Sequence, residues 1–455
     1  MSKTKTAAVV LAAGMGTRMK SALPKVMHPL TGRPMVSHLL STVEAVGVDE
    51  AVVVVGPGME AVGRAVAPHP TVEQTDRLGT AHAVMQAREV LAGFDGDVLV
   101  LYGDTPLITP ETLGKMLEAR RGPVRPAVVV LGFRPEDPGA YGRLMMDGDS
   151  LEAIVEAKDA TPEQLAVDLC NSGVMCVDGA KLLDLLDRVG NDNAKGEYYL
   201  TDIVALARGE GLACAVVEGA EEELLGVNSR AELAVAEAVA QKRLRKAAMD
   251  GGATLIAPET VFMSHDTVIG RDVVIQPNVT FGPGVKVGDG VEIKGFCHFE
   301  QCTIAQGATV GPYARLRPGA EVGEGANIGN FVEIKKAVVE PGAKVNHLTY
   351  IGDARVGAKA NIGAGTITCN YDGFMKYHTD IGTGAFIGSN SALVAPVKIG
   401  DGAIVAAGSV VTGDVEPDSL AVARGRQEAR PGWAGRFRQR MAALKAGKSN
   451  DKKGT

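Results

Sequence analysis

The sequence predicts two folds in tandem: an α/β layered domain and, after it, a solenoid of parallel strands. The first follows from short continuous apolar runs at residues 7–13, 51–55, 98–102 and 127–131, separated by helix-like segments such as 34–46 and 80–91. A run without polar alternation is a strand buried on both faces, and strands alternating with helices build a largely parallel sheet under helical layers. The second follows from a six-residue beat of aliphatic and aromatic residues between Met263 and Val411. It runs Ile269, Ile275, Phe281, Val287, Ile293, Phe299, then Ile304 to Ile334, Val339 to Ile351, Val356 and Ile362, and resumes at Ile381 to reach Val411. A helix period of about 3.6 or a strand period of about 2 does not select one residue in six, whereas stacked coils of short strands and corners do.

The remaining positions of each hexad agree. Four residues after the aliphatic stands a small residue, as at Ala308, Ala314, Ala320, Ala326, Ala343, Ala360, Ala385 and Ala403. Three residues after it stands Gly or Asn, as at Gly284, Gly290, Gly319, Gly325, Gly342, Gly365, Gly384, Asn390 and Gly402. Those residues tolerate the positive φ of a tight corner. One hexad is then one flat face, its aliphatic and small residues pointing inward, with coils stacked about 4.8 Å apart.

The chain has 455 residues, 45% hydrophobic and 4% aromatic, with 57 glycines, enough for two or three compact units. A net charge of −7 and a pI near 5.7 argue against general nucleic-acid or membrane-surface binding. The apolar run at 7–13 is too short for a signal peptide, and no segment reaches the roughly 20 apolar residues that span a bilayer. The cysteines Cys170, Cys176, Cys214, Cys297, Cys302 and Cys369 show no paired spacing, which suits reduced thiols in a cytoplasmic protein.

In the first domain the opening strand ends in Gly14-Met15-Gly16-Thr17-Arg18-Met19, followed by Leu23-Pro24-Lys25. A glycine-rich turn after a strand offers backbone N–H groups to phosphate, and Arg18 and Lys25 beside it suit a triphosphate attacked at its α-phosphorus. Neither the dinucleotide G-x-G-x-x-G nor the P-loop GK[ST] is present. Tyr102-Gly103-Asp104 puts a carboxylate at a strand's C-terminal end, where open α/β sheets bind ligands. Asp104 is a candidate Mg²⁺ ligand there, or alternatively a helix cap before Thr105-Pro106. Asn228 and Ser229 can cap an Ala-rich helix reaching about Met249, a rigid arm stopped by Gly251-Gly252. From the residues alone, capping is the role of Asn228.

In the solenoid, polar residues interrupt the beat at Leu316-Arg317-Pro318, Glu333 to Lys336, His347 to Tyr350 and Asn361 to Gly365, and the gap before Ile381 carries Cys369-Asn370-Tyr371-Asp372-Gly373, a loop thrown out of the coil. Arg317 and Lys335 are 18 residues apart and stack as a cation pair suited to a sugar phosphate. His347 is the natural general base, although a dropped residue before Val339 disturbs its register with that pair. The histidines of this half, His265, His298, His347 and His378, lack a clustered metal spacing, which argues against zinc. A basic helix-like stretch runs from Trp433, the single tryptophan, to about Ala446, and a polar tail expected to be disordered follows from about 447.

The motifs at Leu11–Met19, Pro24-Lys25, Gln74, Gly79-Thr80 and Tyr102-Gly103-Asp104 resemble those of sugar-1-phosphate nucleotidyltransferases. Tyr141-Gly142-Arg143, Ile154-Val155-Glu156, Asn171-Ser172-Gly173 and Gly226-Val227-Asn228 narrow the resemblance to the bifunctional N-acetylglucosamine-1-phosphate uridyltransferase/glucosamine-1-phosphate N-acetyltransferases, over about residues 6–434. Where that family usually has Asn-Thr-Gly this chain has Asn171-Ser172-Gly173, which keeps the hydroxyl. The resemblance implies a Rossmann-like, mostly parallel nucleotidyltransferase domain over 1–227, a helical linker over 228–250, and a left-handed parallel β-helix with acetyltransferase activity over 251–455. It implies a homotrimer with shared sites and no nucleic-acid or membrane partner.

Carried over by position, it implies UTP and UDP-N-acetylglucosamine contacts from Leu11, Ala12, Ala13, Gly14, Gln74, Gly79, Thr80, Tyr102 and Gly103, with Lys25 and Arg18 on phosphate. Asp104 and Asn228 would ligate Mg²⁺, and Gly142, Glu156 and Asn171 would hold N-acetylglucosamine. Arg317, Lys335, Tyr350 and Asn361 would bind glucosamine 1-phosphate, with His347 the base, and Ala364, Asn370, Tyr371, Ser389, Ala407 and Arg424 would line the acetyl-CoA site. Two rival readings are a nucleotidyltransferase with a merely regulatory solenoid, as in ADP-glucose pyrophosphorylases, and a catalytically silent sugar-nucleotide sensor. A regulatory solenoid has no need of His347 with the Asn370-Tyr371 loop, and a silent sensor has no need of Arg18, Lys25, Asp104 and His347 together.

Overall fold

A computed structural model describes residues 4–193 and 195–451. The chain folds as two compact units, one of residues 1–271 and 275–285, the other of 272–274 and 286–455. The division lies inside the repeat, beyond the linker helix.

In the first unit the apolar runs form β1 (Thr6–Leu11), β2 (Glu50–Val55), β3 (Thr71–Glu73), β4 (Asp97–Tyr102) and β5 (Val128–Phe133), joined by β6 (Arg143–Asp147), β7 (Ser150–Val155), β8 (Cys170–Asp178) and β9 (Cys214–Glu218). The sheet order is β9-β5-β8-β4-β1-β2-β3. β1, β2, β3 and β4 pair in parallel, as do β5 and β9, while β8 runs antiparallel between β4 and β5. Successive residues of a strand enter different cores: Ala7, Val9, Val98 and Val100 pack into one, Ala8, Val10, Leu99 and Leu101 into the other. That two-sided burial is why these strands read as unbroken apolar runs.

Helix α1 (Met35–Val46) matches its expected span, whereas the segment expected as one helix over 80–91 is two, Thr80–Met85 and Arg88–Leu91, interrupted at Gln86-Ala87. Helix α2 (Pro110–Arg121) is capped by Thr109, whose Oγ1 accepts from Thr112 N. Asp104 is therefore not a helix cap. The linker, α3 (Arg230–Asp250), is capped by Ser229, with Glu232 reaching back to Asn228 N. The cap belongs to Ser229, leaving the Asn228 side chain available elsewhere. Buried Gln241 fixes α3 to the segment Val261–Met263, donating to Met263 O at 2.7 Å and accepting from Met263 N at 2.9 Å, while Arg245 donates to Val261 O at 3.2 Å.

In the second unit the repeat folds as stacked parallel coils. Its beat residues from Val287 to Val411 are buried, as are the small residues Ala308, Ala326, Ala343, Ala360, Ala385 and Ala403. The corner residues Gly290, Gly319, Gly325, Gly342, Gly365, Gly384, Asn390 and Gly402 all have φ between 54° and 78°. Coils are 18 residues where Arg315 pairs with Glu333, 17 where Glu333 pairs with Tyr350, and 25 where Asn361 pairs with Phe386 across the projecting loop. The dropped residue of the beat is thus a shortened corner, and both strands on either side keep their register. Helix α4 (Trp433–Asp451) extends past the expected end at Ala446, into the stretch expected to be disordered; residues 452–455 of that tail lie outside the described residues.

A chain ending at Gly251 loses the partners of Gln241 and Arg245. It should be less stable than one ending at Val285 by about 2 kcal/mol, the worth of two buried hydrogen bonds, read as a lower urea midpoint. Equal midpoints would show that this pairing contributes nothing.

Candidate functional sites

A cavity at the C-terminal ends of β1 and β4 is lined by Leu11, Ala12, Ala13, Gly14, Lys25, Gln74, Gly79, Thr80, Tyr102 and Asp104. The sheet edge collects these residues because parallel strands end their runs together there. Two glycines are required by close approach. Gly16 has φ 62°, and a Cβ there would sit 2.6 Å from Cβ of Lys25. Gly79 has φ 115°, and a Cβ would sit 2.4 Å from the Tyr198 carbonyl oxygen, which accepts from Ala81 N. The first brings the lysine over the loop; the second lets the start of helix Thr80–Met85 seat against the chain at Tyr198. Gln74 Nε2 donates to Gly79 O at 3.1 Å, tying the two walls of the cavity.

Lys25 makes an ion pair with Asp104 and donates to Asn228 Oδ1 at 3.1 Å. Val227 N donates to Asp104 O at 2.9 Å, which brings the end of the first domain under the carboxylate. Asp104 and Asn228, 124 positions apart in sequence, thereby present a carboxylate and an amide oxygen to one cation. A hard divalent ion takes that donor set, and the Lys25 ammonium stands where positive charge is wanted. Among the described residues no group of three or more His, Cys, Asp or Glu could hold a metal. Arg18 lies exposed on the one-turn helix Thr17–Met19 and does not line the cavity. Sequence reasoning missed Arg77, whose Nε donates to Ala13 O at 3.1 Å, and Glu197, both in the wall.

A second hollow holds Glu156 with Asp159, Asn193, Tyr199, Thr201 and Asp202. Burial pushes the Glu156 carboxyl above its ordinary value, against the pull of Lys195. Gly142 O accepts from Asn171 N at 2.8 Å, and a Gly142 Cβ would lie 3.3 Å from Ile154, so Gly142, Asn171 and the strand leading to Glu156 form one packed corner. Ser172 Oγ donates to Leu131 O at 2.6 Å and accepts from Val174 N at 3.2 Å, where β8 shifts register between Asn171 and Met175. The hydroxyl kept in Asn171-Ser172-Gly173 supports the bulge that aims Asn171.

In the solenoid, one corner carries a column of residues. Asn330 O accepts from Leu348 N, His347 O from Gly365 N, Ala364 O from Asn390 N, and Ser389 O from Gly408 N; Arg424 Nη1 then donates to Ala407 O at 2.7 Å. His347, Ala364, Ser389, Ala407 and Arg424 therefore stand one above another despite irregular sequence spacing. His347 Nδ1 lies 2.7 Å from Asn330 Oδ1. With that oxygen accepting, Nδ1 carries the proton and Nε2 presents its lone pair, the form a general base needs. Asn330 was not anticipated; its only sequence signal is its place 17 residues before His347.

Across the next corner of the same coil, Arg317 N donates to Ile334 O, putting Arg317 over Lys335 as the 18-residue spacing required. The Arg317 guanidinium is partly neutralised by Glu333 Oε1 at 2.7 Å. Contact with Lys376, reinforced by Arg317, holds the Lys335 ammonium below the usual lysine range. Lys376 comes from the projecting loop, where it pairs with Tyr371, and sequence reasoning missed it. Tyr350 lies against Gly352, the register partner of Lys335; a Cβ on Gly352 would be 2.3 Å from the tyrosine hydroxyl. Asn370 is buried, with Nδ2 on Asp353 Oδ2 at 2.6 Å, so its side chain anchors the loop. Asn361 is on the strand after the His347 strand, pairing with Lys344 and Phe386.

Residues 8–166 match the family described as MobA-like NTP transferase domain, and residues 266–300, 301–336 and 378–413 match the bacterial transferase hexapeptide of six repeats. The chain is 69% identical to the bifunctional protein GlmU of Paramagnetospirillum magneticum, covering 98% of this chain and all of that protein. It is 73% identical to that of Rhodospirillum rubrum, covering 97% of this chain and 99% of the relative, and 58% identical to that of Xanthobacter autotrophicus, covering 96% and 98%.

The crowding of cations gives a measurable titration. Like charge favours the neutral amine, so Lys335 should lose its proton at lower pH than a free lysine. Lys376→Met should move its titration up toward the ordinary value of about 10.4, followed by NMR of labelled lysine. A titration that does not move would remove Lys376 from the cluster.

Proposed function

The chain belongs to the bifunctional GlmU family, and from that premise we propose how its residues divide two reactions. It is a bifunctional enzyme of UDP-N-acetylglucosamine synthesis: an acetyltransferase that makes N-acetylglucosamine 1-phosphate from glucosamine 1-phosphate and acetyl-CoA, and a uridyltransferase that joins the product to UMP from UTP. We assign uridyl transfer to residues 1–227, the linker to 228–250, and acetyl transfer to 251–455.

For uridyl transfer, Leu11, Ala12, Ala13, Gly14, Gln74, Gly79 and Thr80 receive the nucleotide, while Gly142, Glu156 and Asn171 receive the sugar. A sugar-phosphate oxygen attacks the α-phosphorus and pyrophosphate leaves, with no protein nucleophile. The protein's task is to align two anions in line and offset their repulsion. Lys25 and Arg18 supply positive charge to the phosphates. The family's nucleotidyl transfer points to a divalent metal, and the Asp104 and Asn228 oxygens meeting at Lys25 support Mg²⁺ at that point. Bound there, the ion would neutralise phosphate charge.

For acetyl transfer, the single observation that carries the reading is His347 held by Asn330, three residues before Tyr350, whose strand pairs with that of Lys335 in the Arg317–Lys335–Lys376 cluster. The cations bind the phosphate, with Tyr350 and Asn361 on the sugar. His347 Nε2 takes a proton from the amine as its nitrogen attacks the thioester carbonyl; the C–S bond breaks and coenzyme A leaves as the thiol after taking up a proton. Ala364, Ser389, Ala407 and Arg424 offer acetyl-CoA the edge of one corner, and Asn370 with Tyr371 holds the loop above it.

The hexapeptide repeats point to an oligomer, and we take it to be a homotrimer. Phe296, Tyr313, Phe331 and Leu348 support this: all four have positive φ and are 46–63% exposed. Their first three rings stack at 4.9 and 5.0 Å, forming an apolar ladder beside Asn330 and His347 that a second copy would cover. No helix among the described residues is long and apolar enough to cross a membrane, and we place the enzyme in the cytoplasm with its small-molecule substrates.

His347→Ala should lower acetyl transfer by about 10²–10⁴-fold and leave uridyl transfer unchanged, with coenzyme A and pyrophosphate release assayed separately. Acetylation near the parental rate would exclude His347 as the base. Asn228→Ala should raise the Mg²⁺ concentration for half-maximal uridyl transfer several-fold, of the order expected for one lost oxygen ligand, and leave acetyl transfer alone. An unshifted Mg²⁺ dependence would remove Asn228 from the metal site.

A further inference from the structure

We propose that Arg230, the first residue of α3, is a positioning residue for uridyl transfer. Its guanidinium straps the turn that carries Arg18 and the turn that carries Lys25 to the segment that carries Asn228. Arg230 Nε donates to Met19 O at 3.3 Å, one residue past Arg18. Arg230 Nη1 donates to His28 Nδ1 at 3.2 Å, and His28 N donates to Lys25 O at 3.3 Å, closing the turn Lys25–Met27. Two residues before Arg230, Asn228 Oδ1 accepts from Lys25 Nζ at 3.1 Å. The base of the strap is itself fixed: Glu232 N donates to Ser229 Oγ at 3.3 Å and Asn228 N to Glu232 Oε2 at 2.7 Å. One side chain on a capped helix start thus reaches both cation-bearing turns.

His28 shows what the contact secures. The residue is buried, and its Nε2 has no hydrogen-bond partner. With Nδ1 accepting from a guanidinium, the ring proton sits on Nε2, a buried donor left unbonded. Such an atom is costly, so the ring is kept for the place it gives its neighbours and not for its own bonding. Burial, and after it the Arg230 charge, holds the imidazole below its ordinary value, and Nδ1 stays an acceptor. On its other side His28 O accepts from Met35 N at 3.1 Å, at the start of α1, so the Lys25 turn is anchored at both ends. Both acceptors of Arg230 are neutral, a carbonyl and a ring nitrogen. Two nitrogens of one planar fork set the spacing of the two turns, which a single ammonium does not reproduce. The inference rests on the assignment of Lys25 and Arg18 to the phosphates made above.

The test uses the full chain, with acetyl transfer as the control that each variant folds. Arg230→Met and Arg230→Lys should both lower uridyl transfer by about 10–100-fold, the loss that a small misplacement of charged groups gives. Hydrogen exchange of the amides of residues 14–28 should quicken in both variants, while that of the solenoid stays as it was. In a Lys25→Ala background, Arg230→Met should cost several-fold less than in the parental chain, because the two residues act through one another. Parental activity of Arg230→Lys would assign Arg230 to charge alone and overturn the strap. Unchanged exchange over residues 14–28, or full additivity with Lys25→Ala, would overturn it as well. Parental uridyl transfer by Lys25→Ala alone would instead remove the reading of the phosphate site, and this inference with it.

Discussion

The hydrogen bond from one coil to the next is the constraint on which the catalytic half depends. Strand N–H groups such as those of Thr309 and Arg317 donate to carbonyls of the following coil, corner N–H groups such as those of Leu348 and Gly365 donate back to the preceding one, and the inward aliphatic and small side chains fill the space between them. Side chains far apart in sequence are thereby fixed within one coil spacing. Asn330 and His347 meet because their strands pair, and Arg317, Lys335 and Tyr350 gather because theirs do. The site is precise because its residues stand on strands and corners whose positions the stack already dictates.

The nucleotide half reaches the same end by different means. Its sheet brings strand ends together, and three loops of very different origin close over them: the turn at Gly16, the start of the helix at Thr80, and the segment before the linker at Asn228. Where two loops touch, glycine is the residue that permits it. The result is a cavity whose cation, carboxylate and amide oxygen come from positions 25, 104 and 228.

Much of this was legible in the sequence. The two-sided burial of the central strands showed in their unbroken apolar runs, and the coil showed in its six-residue beat with glycine at each corner. The Arg317–Lys335 stack followed from an 18-residue spacing alone. Spacing could not supply the partners that arrive through irregularities. Lys376 reaches Lys335 from a loop outside the repeat, and Asn330 meets His347 across a coil one residue short. Arg77 and Glu197 belong to loops, where no period exists to be read. The break at Gln86-Ala87 falls in a stretch with neither Gly nor Pro to announce it. That Asp104 and Asn228 do not cap the neighbouring helices follows only from the caps that Thr109 and Ser229 make.

The projecting loop leaves the stack after Cys369 and returns at Thr379 with both flanking registers intact, Ala354 against Thr379 and Asn361 against Phe386. Its length is therefore uncoupled from the fold. Lengthening a surface loop costs only about 0.6 kcal/mol per doubling, whereas a residue added inside one of the coil's strands would turn that strand's inward side chains outward. Selection acting on this enzyme can retune how far Lys376 extends toward Lys335 by insertion or deletion in one hairpin, while the core of the solenoid remains as it is.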